Sequence, residues 1–106
     1  FAEEQAKKFG VRAPMVGHMG DGNFHVVLPY DPAKKEMYKQ IRAFNDTLIK
    51  KALELNGTIT GEHGVGLHKK EYLLEQHPDN IPVMKSIKRT LDPNNIMNPG
   101  KIFDLN

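Results

Sequence analysis

The segment from Asp31 to Leu55 carries a single apolar stripe, and this stripe constrains the fold more than any other feature of the chain. Asp31 is a favoured N-cap residue, Pro32 suits the first helical position, and Asn56-Gly57 ends the pattern. The apolar residues recur at steps of three or four, the period of an amphipathic helix: Met37, Ile41, Phe44, Leu48, Ala52 and Leu55. The sequence therefore predicts one long helix that packs on another layer.

Shorter elements surround this helix in the predicted fold. A helix ends at Phe9 before Gly10, which suits a left-handed C-cap. Two further helices are predicted, Lys69 to Gln76 and one capped by Asp79 with a core face of Met84, Ile87 and Leu91. The predicted strands are Met15 to Met19, Asn23 to Leu28 and Thr58 to Thr60. This order predicts an α+β fold, a small antiparallel sheet of three strands with helices on one face.

Composition excludes several classes of protein. The 106 residues contain no Cys, which excludes a disulfide scaffold, a Cys-based zinc finger and a thiol nucleophile. No apolar run approaches the roughly 20 residues of a membrane span. The net charge is +2 without a Lys/Arg block, which argues against nucleic-acid binding. We expect one domain or a piece of one over residues 1–106, a cytoplasmic location and, in a full complex, a place at the periphery of a membrane.

The segment from Gly17 to His25 predicts a hairpin that carries two histidines. If Asp21-Gly22 forms a two-residue turn, His18 lies directly opposite His25, with Asn23 on the same face. The other face then carries the apolar residues Met15, Met19, Phe24, Val26 and Leu28. Two neighbouring imidazoles are either a stacked polar pair or two ligands of one metal, and spacing alone leaves both open.

A glycine-rich loop, Gly61 to Gly66, follows the predicted third strand and carries Glu62 and His63. If Thr58, Thr60 and Glu62 share a strand face, the Glu62 carboxylate is a plausible third ligand, and His63 suits proton transfer near neutral pH. The alternative is a glycine-rich connection with two solvated polar residues. Taken with the hairpin, the functional interpretation is favoured. The glycine spacing fits neither a phosphate-binding loop nor a dinucleotide fingerprint.

Three segments resemble motifs of one known family: GHMGDGNFH, GEHGVG and DPNNIMNPGK, in that order. Together they resemble the C-terminal domain of FAD-linked oxidases, the group of D-lactate dehydrogenases, glycolate oxidase flavin subunits and D-2-hydroxyglutarate dehydrogenases. The resemblance covers Met15 to Phe103. It implies part of a split, ferredoxin-like substrate domain, with the FAD-binding domain absent from this chain. The start at Phe1, inside a helix, also suggests a fragment or a processed product.

The resemblance also implies an activity and roles for single residues. The family oxidises a D-2-hydroxy acid of the glycolate or D-lactate type to the 2-oxo acid and passes a hydride to FAD. The positions matching His18, His25 and Glu62 hold a divalent ion, zinc or a similar metal, and His63 matches the general base. The positions matching Asn23 and Asn98 contact the substrate or the flavin. Without the FAD domain, we expect the isolated chain to be inactive.

Two other classes of function stay open on the residues alone. One is a stand-alone α+β binding or regulatory module whose histidines are structural, and the other is a small metal-dependent hydrolase that uses the same ligands. The expected partners are a small 2-hydroxy acid and the FAD-binding domain of the parent chain. We also expect self-association, because a sheet that lacks a strand leaves an unpaired edge.

Overall fold

The computed structural model describes all 106 residues and divides into two compact units, Phe1–Asn56 and Gly57–Asn106. The first unit contains α1 (Ala2–Phe9), β1 (Met15–His18), β2 (Asn23–Val26) and α2 (Lys35–Glu54). The second contains α3 (Lys70–Gln76) and α4 (Ile81–Leu91). The α+β class is confirmed, with four helices and a two-stranded antiparallel sheet. None of these helices combines the length and apolar character that crossing a membrane requires.

The core of the first unit forms around Phe44, which is fully buried on α2. Its ring meets that of Phe9 edge to face, with centroids 6.3 Å apart. Further buried residues in this cluster are Ala6, Val11 and Ile41, and the partly buried ones include Ala13, Val26, Leu28, Met37 and Leu48. The predicted apolar stripe is thus confirmed from Met37 to Leu48. Leu55 follows the end of α2 and is 70% exposed.

The start of α2 differs from the prediction by several residues. The carboxylate of Asp31 accepts a hydrogen bond from the Ala33 amide at 3.0 Å, and the Lys34 amide donates to the Asp31 carbonyl at 2.9 Å. Asp31 therefore closes a local turn that includes Pro32, and helical hydrogen bonding begins only at Lys35. The end of α1 agrees with the prediction, since Gly10 adopts a φ of 65° after Phe9.

The hairpin has a longer connection than the sequence predicted. Its strands pair His18 with Asn23 and Val16 with His25, so the connection has four residues. Met19–Asp21 forms one turn of 3₁₀ helix, closed by a hydrogen bond from the Gly22 amide to the Met19 carbonyl at 3.2 Å. Only Gly22 has positive φ there, whereas a two-residue type I′ turn would require it of Asp21 as well. The prediction that His18 lies directly opposite His25 is therefore wrong.

The predicted third strand, Thr58 to Thr60, is also wrong, since the sheet has two strands. Side chains satisfy the backbone here instead of a neighbouring strand. The Ile59 amide donates to the Gln76 Oε1 at 3.2 Å, and the Thr58 hydroxyl donates to the Thr60 carbonyl at 2.6 Å. Ile59 is buried, as the prediction of a core contact required.

In the second unit, α4 begins after Asn80, and Asp79 does not cap it. The predicted core face of this helix is wrong at Ile87 and Leu91, which are 56% and 72% exposed. A basic face of α4 contacts the C-terminal segment instead. Lys85 Nζ donates to the Asn106 carbonyl at 3.1 Å, and Arg89 Nη2 donates to the Leu105 carbonyl at 2.5 Å.

Candidate functional site

The hairpin presents His18, Asn23 and His25 on one face. His18 pairs with Asn23, and two residues further along the ladder Val16 pairs with His25. Because side chains alternate along a strand, these two pairs lie on the same face of the hairpin. The two histidines are diagonal neighbours across the ladder, about 7–8 Å apart at their backbones, which is within reach of long side chains. His18 is exposed, and Asn23 and His25 are half-buried. The prediction that His18, Asn23 and His25 share a face is confirmed, although His18 does not pair directly with His25.

The two strands of this hairpin approach each other closely at Gly17. Gly17 lies opposite Phe24, and a Cβ built on Gly17 would be 2.4 Å from the Phe24 Cα and 2.6 Å from the Asn23 carbonyl oxygen. Only glycine fits such an approach. It lies next to His18 on β1, so the packing of the two strands sets the backbone from which both histidines project.

Glu62 and His63 lie on an exposed loop of the second unit. His63 Nε2 is 3.7 Å from the Glu62 Oε1. Gly64 and Gly66 adopt positive φ on the C-terminal side, and the Thr60 hydroxyl donates to the Gly64 carbonyl at 3.1 Å. The predicted strand orientation of Glu62 is wrong because Thr58 to Thr60 is not a strand. An imidazole next to a carboxylate can still accept a proton, and both side chains offer metal-ligand atoms.

Asn98 lies in a turn-rich segment of the second unit, with a φ of 47°. The Lys101 amide donates to its carbonyl at 3.3 Å. The structure therefore groups His18, Asn23 and His25 in the first unit and Glu62 with His63 in the second, while Asn98 occupies a separate turn.

Asp92, a buried carboxylate to which the sequence analysis assigned no role, organises the start of this segment. Its carboxylate oxygens accept hydrogen bonds from the backbone amides of Ile96 at 3.0 Å and Met97 at 2.9 Å. They also accept a hydrogen bond from the ammonium group of Lys88. The hydrogen bond from Lys88 lowers the pKa of Asp92, and the two amides add to this against the opposing effect of burial. The i, i+4 spacing of Lys88 and Asp92 at a helix end was the available sequence signal.

Lys70, at the start of α3, is a second residue that sequence reasoning missed. Its Nζ donates to the Asp104 Oδ1 at 2.6 Å and to the Gly100 carbonyl at 3.1 Å. Asp104 lies 34 positions and Gly100 lies 30 positions after Lys70 in sequence. No local pattern could have predicted the pairing.

A family model described as "FAD linked oxidases, C-terminal domain" matches residues 1–102. The chain belongs to this family. The resemblance carried by the three sequence motifs is thereby confirmed.

Relatives of this family member carry the names of several 2-hydroxy acid enzymes. A probable mitochondrial D-lactate dehydrogenase of Danio rerio is 45% identical over 96 residues, which is 90% of this chain and 19% of the relative. The glycolate oxidase subunit GlcD of Bacillus subtilis is 41% identical over 92% of this chain and 21% of its own length. A D-2-hydroxyglutarate dehydrogenase of Stutzerimonas stutzeri is 42% identical over 82% of this chain and 19% of its own length. The chain thus spans about a fifth of these relatives.

Proposed function

We propose that this chain is the substrate-side domain of an FAD-dependent enzyme that oxidises a D-2-hydroxy acid to the 2-oxo acid. The single observation that carries the proposal is the family match over residues 1–102. Relatives named as D-lactate dehydrogenase and glycolate oxidase support a substrate of the D-lactate or glycolate type. The partner is an FAD-binding domain, and we expect residues 1–106 alone to be inactive, because the reaction needs a flavin to accept the hydride.

We propose that His18, His25 and Glu62 supply the ligands of a divalent ion, zinc or a similar metal. The donor set fits, since two imidazoles on one hairpin face and a carboxylate suit a borderline first-row ion. Such an ion, when bound, polarises the substrate hydroxyl and lowers its pKa. The exposure of His18 and Glu62 supports this role, because a catalytic metal site must admit a substrate.

His63 is the proposed general base. Oxidation removes two hydrogens from the carbon and oxygen of the alcohol. The hydroxyl proton goes to His63, while the hydrogen on carbon leaves as a hydride that FAD accepts when it is bound. His63 lies on an exposed loop, which leaves its imidazole accessible to a substrate. A histidine suits this task because its ordinary pKa lies near working pH.

Asn23 and Asn98 are the proposed contacts to substrate or flavin. An amide side chain both donates and accepts hydrogen bonds, so it can bind the carboxylate of a hydroxy acid or a polar edge of the flavin. Asn23 is supported by its place on the face that carries both histidines. Asn98 is supported by the tight turns around it, which limit the freedom of its backbone.

The proposal is tested on the full-length flavoenzyme that carries this domain. Under anaerobic conditions, D-lactate or glycolate should bleach the visible absorbance of the oxidised flavin, and L-lactate is the control for D-lactate. The proposal would be overturned if no D-2-hydroxy acid bleached the flavin absorbance although dithionite still reduced the same flavin. Ester hydrolysis without any flavin change would favour the metal-dependent hydrolase instead.

A further inference from the structure

We infer that Lys70 is a positioning residue, because it holds the segment from Asn98 to Asp104 in place, and this segment anchors the loop that carries His63. The inference rests on the proposed role of His63 as the general base. Lys70 lies outside the three motifs, and its proposed task is to keep the His63 loop in a fixed position.

The loop from Gly61 to Gly66 has one anchor at each end. Before the loop, the buried Ile59 donates its amide to the Gln76 Oε1 of α3 at 3.2 Å. At the far end, the Gly66 carbonyl accepts a hydrogen bond from the Ile102 amide at 2.8 Å. Glycine-rich backbone has little conformational preference of its own, so such anchors decide where the loop lies.

The far anchor depends on an unfavourable backbone conformation. Ile102 has a φ of 70°, which β-branched residues rarely adopt. A conformation of this kind persists only where the surrounding structure enforces it. The Phe103 amide also donates to the Lys101 carbonyl at 2.8 Å across Ile102, so the conformation of the residue that bonds to Gly66 depends on how its flanks are held.

Lys70 holds both flanks of Ile102. Its ammonium group binds the Gly100 carbonyl two residues before Ile102 and the Asp104 carboxylate two residues after it. The Lys70 side chain is 21% exposed and the Asp104 side chain is 67% exposed, so these charge-assisted bonds lie at the surface. We call these two bonds the Lys70 clamp. Lys70 follows Gly66 by four residues, so the clamp and the anchored loop lie on the same stretch of chain. Release of the clamp therefore frees the loop three residues after His63.

The test measures hydrogen–deuterium exchange at Ile102 in the full-length flavoenzyme, since the Ile102 amide donates the bond that anchors the loop at Gly66, and this rate is called loop exchange below. Lys70→Met should speed exchange there by about tenfold or more, because hydrogen bonds to charged groups are among the stronger ones. Lys70→Arg, which keeps the charge and several donors, should restore part of the protection. Lys39→Met is the matched control, since it removes an exposed Lys–Glu pair within α2.

Kinetics provide the second readout. With a saturating D-2-hydroxy acid, Lys70→Met should slow flavin reduction by about 10- to 100-fold, the cost of a displaced catalytic group. Asp104→Asn should shift exchange and rate in the same direction by less, and it covers the case in which Lys70→Met does not fold. Loop exchange at the wild-type rate in both variants, confirmed as folded by circular dichroism, overturns the inference.

The two proposals fail in different ways. Suppose that His63→Asn abolishes flavin reduction while Lys70→Met and Asp104→Asn leave loop exchange and the rate of flavin reduction unchanged. The positioning role of Lys70 is then contradicted, and the role of His63 as general base is supported. If His63→Asn reduces flavin normally while Lys70→Met still speeds loop exchange, the clamp is right and the proposed role of His63 is wrong.

Discussion

Gly17 and Phe24 lie so close across the hairpin that a Cβ on Gly17 would be 2.4 Å from the Phe24 Cα. We therefore expect Gly17→Ala to lower the free energy of unfolding by about 3 kcal/mol or more, since the clash is with backbone that cannot move aside cheaply. Urea denaturation measures the change. Gly20→Ala is the matched control, because a Cβ there meets nothing within 4 Å, and its effect should stay within about 0.5 kcal/mol. Equal stability of the two variants would contradict the observed strand packing.

The buried ring of Phe44 gives the second prediction. Phe44→Ala should cost about 3–5 kcal/mol of unfolding free energy, because it leaves a cavity next to Phe9 and Ile41 in the first unit. Leu55→Ala removes an exposed apolar side chain after α2 and should cost less than about 0.5 kcal/mol. Chemical denaturation of both variants checks this, and a similar loss at the two positions would mean that the core lies elsewhere.

The third prediction concerns acid stability. Lys88, and then the two backbone amides, lower the pKa of Asp92 below its ordinary value of 3.8. A lowered folded-state pKa stabilises the fold above the unfolded-state pKa, and this contribution disappears as pH falls through the lower, folded-state value. Asp92→Asn should therefore be less stable than the wild type at neutral pH, and the gap should narrow below about pH 3.8. Urea midpoints across this range measure it, and a gap that stays constant with pH would contradict the account.

The fourth prediction tests the hairpin histidines. In the full-length flavoenzyme, His18→Ala and His25→Ala should each lower the content of bound divalent metal, because each removes one proposed imidazole ligand. His68→Ala is the control, since His68 is exposed and outside both candidate loops. Elemental analysis of the purified proteins gives the answer. Full metal content in both hairpin variants would show that these histidines are not ligands.

The local features of the fold could be predicted from the sequence. The stripe from Met37 to Leu48 and the left-handed Gly10 follow from helical periodicity and capping, which depend on near neighbours. The turn of the hairpin could not, because Asp21 joins a 3₁₀ turn instead of adopting positive φ. The register then moved by two residues. A shift of two keeps every side chain on its face, so the shared face of His18 and His25 was predicted correctly.

The features that failed depend on residues far apart in sequence. Thr58 to Thr60 has a strand-like composition, yet its backbone bonds to the Gln76 side chain and the Thr58 hydroxyl in place of a neighbouring strand. The bonds from Lys70 to Gly100 and Asp104 join residues about 30 positions apart. Periodicity and turn chemistry carry no information about such pairs.

The most direct test of the proposed function is the rate of flavin reduction in the His63→Asn variant of the full-length flavoenzyme, measured by stopped flow with saturating D-lactate or glycolate. Loss of a general base should slow this step by about 10²- to 10⁴-fold. His68→Asn, an exposed histidine five residues further along, should reduce flavin at the wild-type rate. Flavin reduction at the wild-type rate in the His63→Asn enzyme would contradict the account.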